Sequence, residues 1–222
     1  MTWILTNQGI RFELLAPTAE MVHPADIAHS LAHLCRFNGH TGTHYSVAQH
    51  CYLASELVAP EHQLAALLHD AAEAYVGDMV RPLKQALRWM GGTLEARGGR
   101  DVYGEAEQKV WHAICKRFDI DPKLPKEIHD ADMRMLAIER RDLMPAHPDA
   151  WDCIQGIELP AWRITPWTAD EARDRYFRRL MELLATTHRA KAHAQAEHEL
   201  IHGTSTGSPV GLMNHALKGG DQ

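Results

Sequence analysis

The chain has 222 residues, 45% of them hydrophobic and 23% charged, with a formal net charge of -6. That balance suits one globular domain and offers no basic surplus for a nucleic-acid polymer or an anionic membrane surface. Four cysteines (Cys35, Cys51, Cys115, Cys153) fall without a CxxC pair, which argues against a zinc knuckle or redox dithiol and suits reduced thiols in the cytoplasm. No basic leader precedes an apolar run, and no apolar run reaches the roughly 18 residues of a membrane span.

Taken in chain order, "WILTNQGIRFELL" sets Asn7, Gln8 and Gly9 between two strand-like runs and predicts a short β-hairpin. Helical spacing then dominates. "PADIAHSLAHLCRF" carries Ile27, Leu31, Leu34 and Cys35 on one side, and "NGHTG" reads as a loop. "THYSVAQHCYLASELV" reads as a helix capped by Thr43, with Val47, Ala48, Cys51 and Ser55 on one side. After Pro60, "EHQLAALLHDAAEAYV" predicts one helix running to Gly77, and "RPLKQALRWM" a shorter one stopping at Gly91-Gly92. "LEARGGRD" reads as a mobile connection before helices over 101–118 and 125–143. The segment "ELPAWRITPWT" reads as a surface-packing loop, followed by a long final helix. The expectation is an all-α helical bundle with a short N-terminal hairpin: one domain over 1–190, then a helix end and flexible tail over 191–222.

The stretch "ALLHDAAEAYVGD" places ionisable residues in an apolar helix. An unpaired carboxylate buried there costs several kcal/mol or takes up a proton. A divalent cation removes that cost by taking imidazole nitrogen and carboxylate oxygen together. A lone His-Asp neighbour pair is more often structural. Adjacent residues diverge by about 100° around a helix, so His69 and Asp70 need ligands from other helices. With a helix starting at Thr43, His44 shares the inward side with Val47, Ala48 and Cys51 and is the expected third ligand. His50 lies about 240° away around that helix and reads as a packing or surface residue. On the later helix, Asp130 shares a solvated face with Lys126, Glu127 and Arg134, and His129 lies near it. Asp132 shares an apolar face with Ile128, Met135 and Leu136 and is the expected fourth ligand.

His44, His69-Asp70 and Asp132 together resemble the H…HD…D signature of the HD-domain metal-dependent phosphohydrolases. The longer string "HDAAEAYVGDMVRPLK" looks like the 5'-deoxynucleotidase branch, whose pattern HDxxExxxGDxxxPxK is filled by His69, Asp70, Glu73, Gly77, Asp78, Pro82 and Lys84. The resemblance spans roughly residues 25 to 145. It implies an all-helical enzyme holding a divalent metal (Mn, Co, Mg, Zn or Fe) and releasing phosphate from a deoxynucleoside 5'-monophosphate. Relatives in that family are often dimers, and the loop near Trp162 and Trp167 could pack within or between subunits. A small-molecule nucleotide is the expected partner. Two other readings stand beside it: a deoxynucleoside triphosphate triphosphohydrolase releasing triphosphate, and a non-catalytic metal-stabilised nucleotide-binding module.

Under this resemblance Glu73 positions water, moves a proton or orients a histidine. Asp78 acts on water, binds the sugar or caps the next helix. Lys84 and Arg81 supply positive charge for phosphate oxygens. The family's Arg-Trp pair, which holds phosphate and excludes a 2'-hydroxyl, is met here by Arg36 and Phe37.

Overall fold

The computed structural model describes residues 2–95 and 101–202, and the architecture is all-α with one N-terminal hairpin. Two compact units divide the chain, residues 1–185 and 186–222. The connection expected over 94–101 lies outside the described residues at 96–100, and the expected tail does so from 203 onward. No helix among the described residues is long and apolar enough to cross a membrane.

In the first unit, β1 (Trp3–Leu5) and β2 (Arg11–Glu13) pair antiparallel in the register Ile4 to Phe12. Gly9, at φ 75°, lets the chain reverse. Phe12 stacks on Tyr75 at 3.8 Å between ring centroids, which ties the hairpin to the helical core. Among the described residues seven α-helices precede the final one: α1 (Pro24–His33), α2 (Val47–Ser55), α3 (Gln63–Leu68), α4 (Glu73–Val76), α5 (Arg81–Glu95), α6 (Val102–Phe118) and α7 (Lys126–Asp142). The last, α8 (Ala169–His202), begins in this unit and sends Ala172, Tyr176, Leu180, and then Leu183 and Leu184 into the core, each step about one turn. Tyr176 also donates its hydroxyl to the Leu67 carbonyl at 2.9 Å.

Helix α2 sits at the centre, packed against α1, α3 and α7. Val47, Ala48, Gln49, His50, Cys51, Ala54 and Ser55 are all buried, so the helix has almost no solvent side. It begins later than the sequence predicts. Ser46, not Thr43, is the N-cap, accepting the Gln49 amide at 3.2 Å. Residues 44–46 are instead held extended: Arg36 N donates to Tyr45 O and Val47 N to Leu34 O, each at 3.0 Å, around a bridge between Cys35 and Ser46.

The predicted single helix through His69 is broken into α3 and α4 by a turn over 69–72. His69 Nδ1 donates to the Ala66 carbonyl at 2.7 Å, the acceptor that the Asp70 amide would use in a continuous α-helix. Tighter bonds take over, Ala71 N to Leu68 O at 2.9 Å and Glu73 N to Asp70 O at 3.0 Å. Gly77 then turns the chain at φ 85°, ψ 157°, a region essentially reserved for glycine. Helix α5 runs through Gly91-Gly92 rather than stopping there. Glycine within a helix costs about 1 kcal/mol relative to alanine, which weakens the helix without ending it.

Candidate metal centre and cleft

The turn at 69–72 delivers His69 and Asp70 to α2 and α7 at one point. His50 Nε2 lies 3.3 Å from His69 Nε2 and 3.6 Å from Asp70 Oδ2. His69 Nε2 is 3.2 Å from Asp70 Oδ2. From α7, Asp132 Oδ1 approaches His50 Nε2 at 3.3 Å and His69 Nε2 at 4.0 Å. His50, His69 and Asp70 form a group whose donor atoms could hold a metal ion.

The chemistry of this donor set fits a cation. Both Nδ1 atoms have acceptor partners, Glu139 Oε1 at 2.6 Å for His50 and Ala66 O at 2.7 Å for His69. With the protons on Nδ1, both Nε2 atoms present lone pairs to the same point as the two carboxylates. Such converging acceptors repel unless positive charge lies among them. The spacings of 3.2 to 4.0 Å are those spanned by bonds of about 2 Å to one ion. Without such an ion, protons respond instead. Burial and Arg36 push the His50 pKa down, but Glu139 and Asp132 outweigh them and leave it raised. Burial likewise opposes charge on His69, and Asp70 overcomes it, so the His69 pKa is raised well. Burial would raise both aspartates, yet His69 holds Asp70 below the usual carboxylate range and His50 brings Asp132 down to about 2.

His44 is not in this group. Its Nδ1 faces Cys35 Sγ at 3.3 Å and its Nε2 the Ala32 carbonyl at 3.2 Å. The extended course of residues 44–46 removes the helical phase on which the His44 assignment rested. His50, expected to be a packing or surface residue, stands in the expected place of His44. Asp130 and His129 are exposed, with Asp130 paired to Lys126 Nζ at 2.6 Å.

Glu139 is a residue that the sequence reading missed. It is fully buried and accepts from the Tyr45 hydroxyl at 2.9 Å, His50 Nδ1 at 2.6 Å and Arg36 Nε at 3.3 Å. Burial alone would raise its pKa, but Arg36 and His50 lower it, so the side chain is a carboxylate. It lies seven residues, or two turns, beyond Asp132 on the same side of α7. That spacing is the signal that could have found it.

A cleft of about 770 Å³ adjoins the group, lined by Arg36, Phe37, Asp78, Arg81, Lys84 and Asp132 among others. Arg36 bridges cleft and cluster, its Nη1 3.5 Å from Asp70 Oδ2. Lys84 is paired with Glu107 at 2.9 Å, while Arg81 is exposed and reaches Met133 Sδ at 3.9 Å. Asp78 follows Gly77 in the non-helical segment before α5, where burial raises its pKa.

Glu73 is 7% exposed at the start of α4, and its Oε2 has no hydrogen-bond partner among the described residues. Burial, then the Asp70 and Asp78 carboxylates, push its pKa up to about 10. The folded chain therefore keeps a proton on Glu73 that the unfolded chain loses above its ordinary value of 4.5. This contribution to stability is complete below that value and is lost as pH rises towards the folded pKa. His50 and His69 add slopes of the same sign, so the difference between proteins isolates Glu73. Urea denaturation in EDTA should show wild-type stability falling more between about pH 6 and 9 than that of Glu73→Gln. Equal slopes would contradict the assignment.

No family model matches the sequence. The uncharacterized protein YfdR of Escherichia coli strain K12 is 36% identical over 157 residues, covering 71% of this chain and 81% of YfdR. An uncharacterized protein of Rhodobacter capsulatus is 38% identical over 138 residues, covering 58% of this chain and 64% of that protein.

Proposed function

We propose that this chain, which belongs to the same family as Escherichia coli YfdR, is an HD-type metal-dependent phosphohydrolase acting on deoxynucleoside 5'-monophosphates. The carrying observation is the convergence of His50, His69, Asp70 and Asp132 beside a cleft lined by Arg36, Asp78 and Lys84. The H…HD…D order is kept, with His50 as its first member. The order and the string from His69 to Lys84 support the resemblance to the 5'-deoxynucleotidase branch.

His50, His69, Asp70 and Asp132 would hold a divalent ion such as Mn, Co, Mg, Zn or Fe. When bound, such an ion screens phosphoryl charge and lowers the pKa of a coordinated water. Arg36 and Lys84 hold phosphate oxygens by charge-assisted hydrogen bonds, Arg36 already being braced by Glu139. Glu73, at the start of α4 just beyond the turn that carries Asp70, is assigned the proton transfer to the leaving oxygen, and Asp78 orients the attacking water from the cleft wall. Glu139 keeps the His50 proton on Nδ1 and its Nε2 lone pair inward.

The test is a screen of Mn²⁺, Co²⁺ and Mg²⁺ against deoxynucleoside mono- and triphosphates, with Asp70→Ala as control. Orthophosphate from monophosphates, lost in Asp70→Ala, is the expected result. Intact tripolyphosphate from triphosphates would make the protein a triphosphohydrolase. Nucleotide binding without hydrolysis would make it a binding module, and full activity in Asp70→Ala would refute the site.

A further inference from the structure

We propose that Glu107, on α6, is a positioning residue of the cleft: its carboxylate holds the Lys84 ammonium where a phosphate oxygen is to be met. This rests on the nucleotide reading above. Lys84 Nζ donates to Glu107 Oε1 at 2.9 Å, and Lys84 lines the cleft together with Arg36, Asp78 and Asp132. An ammonium carries three N–H groups, so the bond to Glu107 leaves two for a phosphate.

Helix α6 lies outside the string from His69 to Lys84, yet it grips that string at two places. Tyr103 and Glu107 are one turn apart and share a side of α6. The Tyr103 hydroxyl donates to the carbonyl of Gly77, the residue before Asp78, at 3.0 Å. Burial, then Glu107, raise the Tyr103 pKa, so the hydroxyl keeps the proton it donates. The centre of the Tyr103 ring is 5.4 Å from Lys84 Nζ, so the ammonium meets a carboxylate and an aromatic ring from the same helix. Arg36 is held in a comparable way, its Nη2 lying 3.3 Å from Glu139 Oε2. Each cation assigned to phosphate is thus tied to a carboxylate from a different helix.

Two effects of Glu107 oppose each other. Its charge repels a phosphate, and its bond fixes a flexible four-carbon stem before the ligand arrives. The Lys84 and Glu107 side chains are 25% and 29% exposed, so water and salt screen the carboxylate from a phosphate it does not touch. Rotamer freedom already given up is not subject to screening. Positioning therefore prevails over repulsion. Burial opposes charge on Lys84, but the bond to Glu107 outweighs it and the ammonium stays charged.

Steady-state kinetics with Mn²⁺ on deoxynucleoside 5'-monophosphates tests this, comparing wild type with Glu107→Ala, Glu107→Gln, Lys84→Ala and the double variant Lys84→Ala with Glu107→Ala. Glu107→Ala should raise KM about 2- to 10-fold, the cost of immobilising one long side chain on binding, and leave kcat within about twofold. Glu107→Gln keeps an acceptor oxygen for the ammonium and should restore most of the wild-type KM. Where Lys84 is already alanine, Glu107→Ala should change KM no further, because its effect runs through Lys84. A KM unchanged or lowered in Glu107→Ala, or raised equally with and without Lys84, would overturn the positioning role and leave the phosphohydrolase reading standing. Failure of wild type to hydrolyse any monophosphate would overturn that reading and the positioning role with it.

Discussion

On the proposed phosphohydrolase reading, His50→Ala is expected to lose divalent-cation binding and about 1,000-fold or more in turnover, since a catalytic metal supplies several kcal/mol. His44→Ala is expected to keep both. Isothermal calorimetry with Mn²⁺ reads binding directly, and the same preparations give the rates. The two histidines lie six residues apart in "HYSVAQH", and a match to the H…HD…D order accepts either. Geometry separates them: His50 Nε2 is 3.3 Å from both His69 Nε2 and Asp132 Oδ1, whereas His44 is engaged with Cys35 and Ala32. The reverse outcome, with metal lost in His44→Ala and kept in His50→Ala, would refute the centre described above.

The second large effect is at Glu139. Glu139→Ala would leave Arg36 without its buried counter-ion and the Tyr45 hydroxyl and His50 Nδ1 without their acceptor. Breaking a buried charged network from one side costs about 3–5 kcal/mol. Urea denaturation should show a loss of that size. Glu139→Gln keeps an acceptor oxygen while removing the charge, so it should lose less stability. Removing a partner that orients a ligand weakens metal affinity about 10- to 100-fold, so calorimetry on the glutamine variant should show Mn²⁺ bound more weakly than by wild type. Wild-type stability in Glu139→Ala, or wild-type affinity in both variants, would remove Glu139 from its assigned role.

What could be read in advance depended on whether a residue's local pattern settles its surroundings. The hairpin was legible because Asn7-Gln8-Gly9 separates two short strand-like runs and supplies the turn. Helix α7 was legible because Ile128, Met135 and Leu136 mark an apolar side while Lys126 and Asp130 mark a solvated one, and this placed Asp132 facing the cluster. Helix α2 offered no such contrast. When nearly every residue is buried, polarity no longer shows which way a side chain faces. Ser46 and Thr43 are also both good N-caps, and choosing the earlier one assigned a helical phase to residues that are extended.

The same limit applied to the stretch around His69. Its periodicity fits one helix, and only the bond from His69 Nδ1 to the Ala66 carbonyl shows why the ladder gives way there. Glu139 looked like one more charged residue near the basic end of α7 until Arg36, Tyr45 and His50 were found around it. By itself, then, the sequence determined an all-helical chain with an N-terminal hairpin, and a string from His69 to Lys84 whose residue types suit metal and phosphate. The first follows from periodicity and spacing along the chain, the second from the string's resemblance to the HD-domain pattern. Only the tertiary structure decided that His50 completes the group, that Glu139 holds it, and that Glu107 meets Lys84. Each of these depends on residues far apart in sequence competing for the same buried space and the same few hydrogen-bond partners.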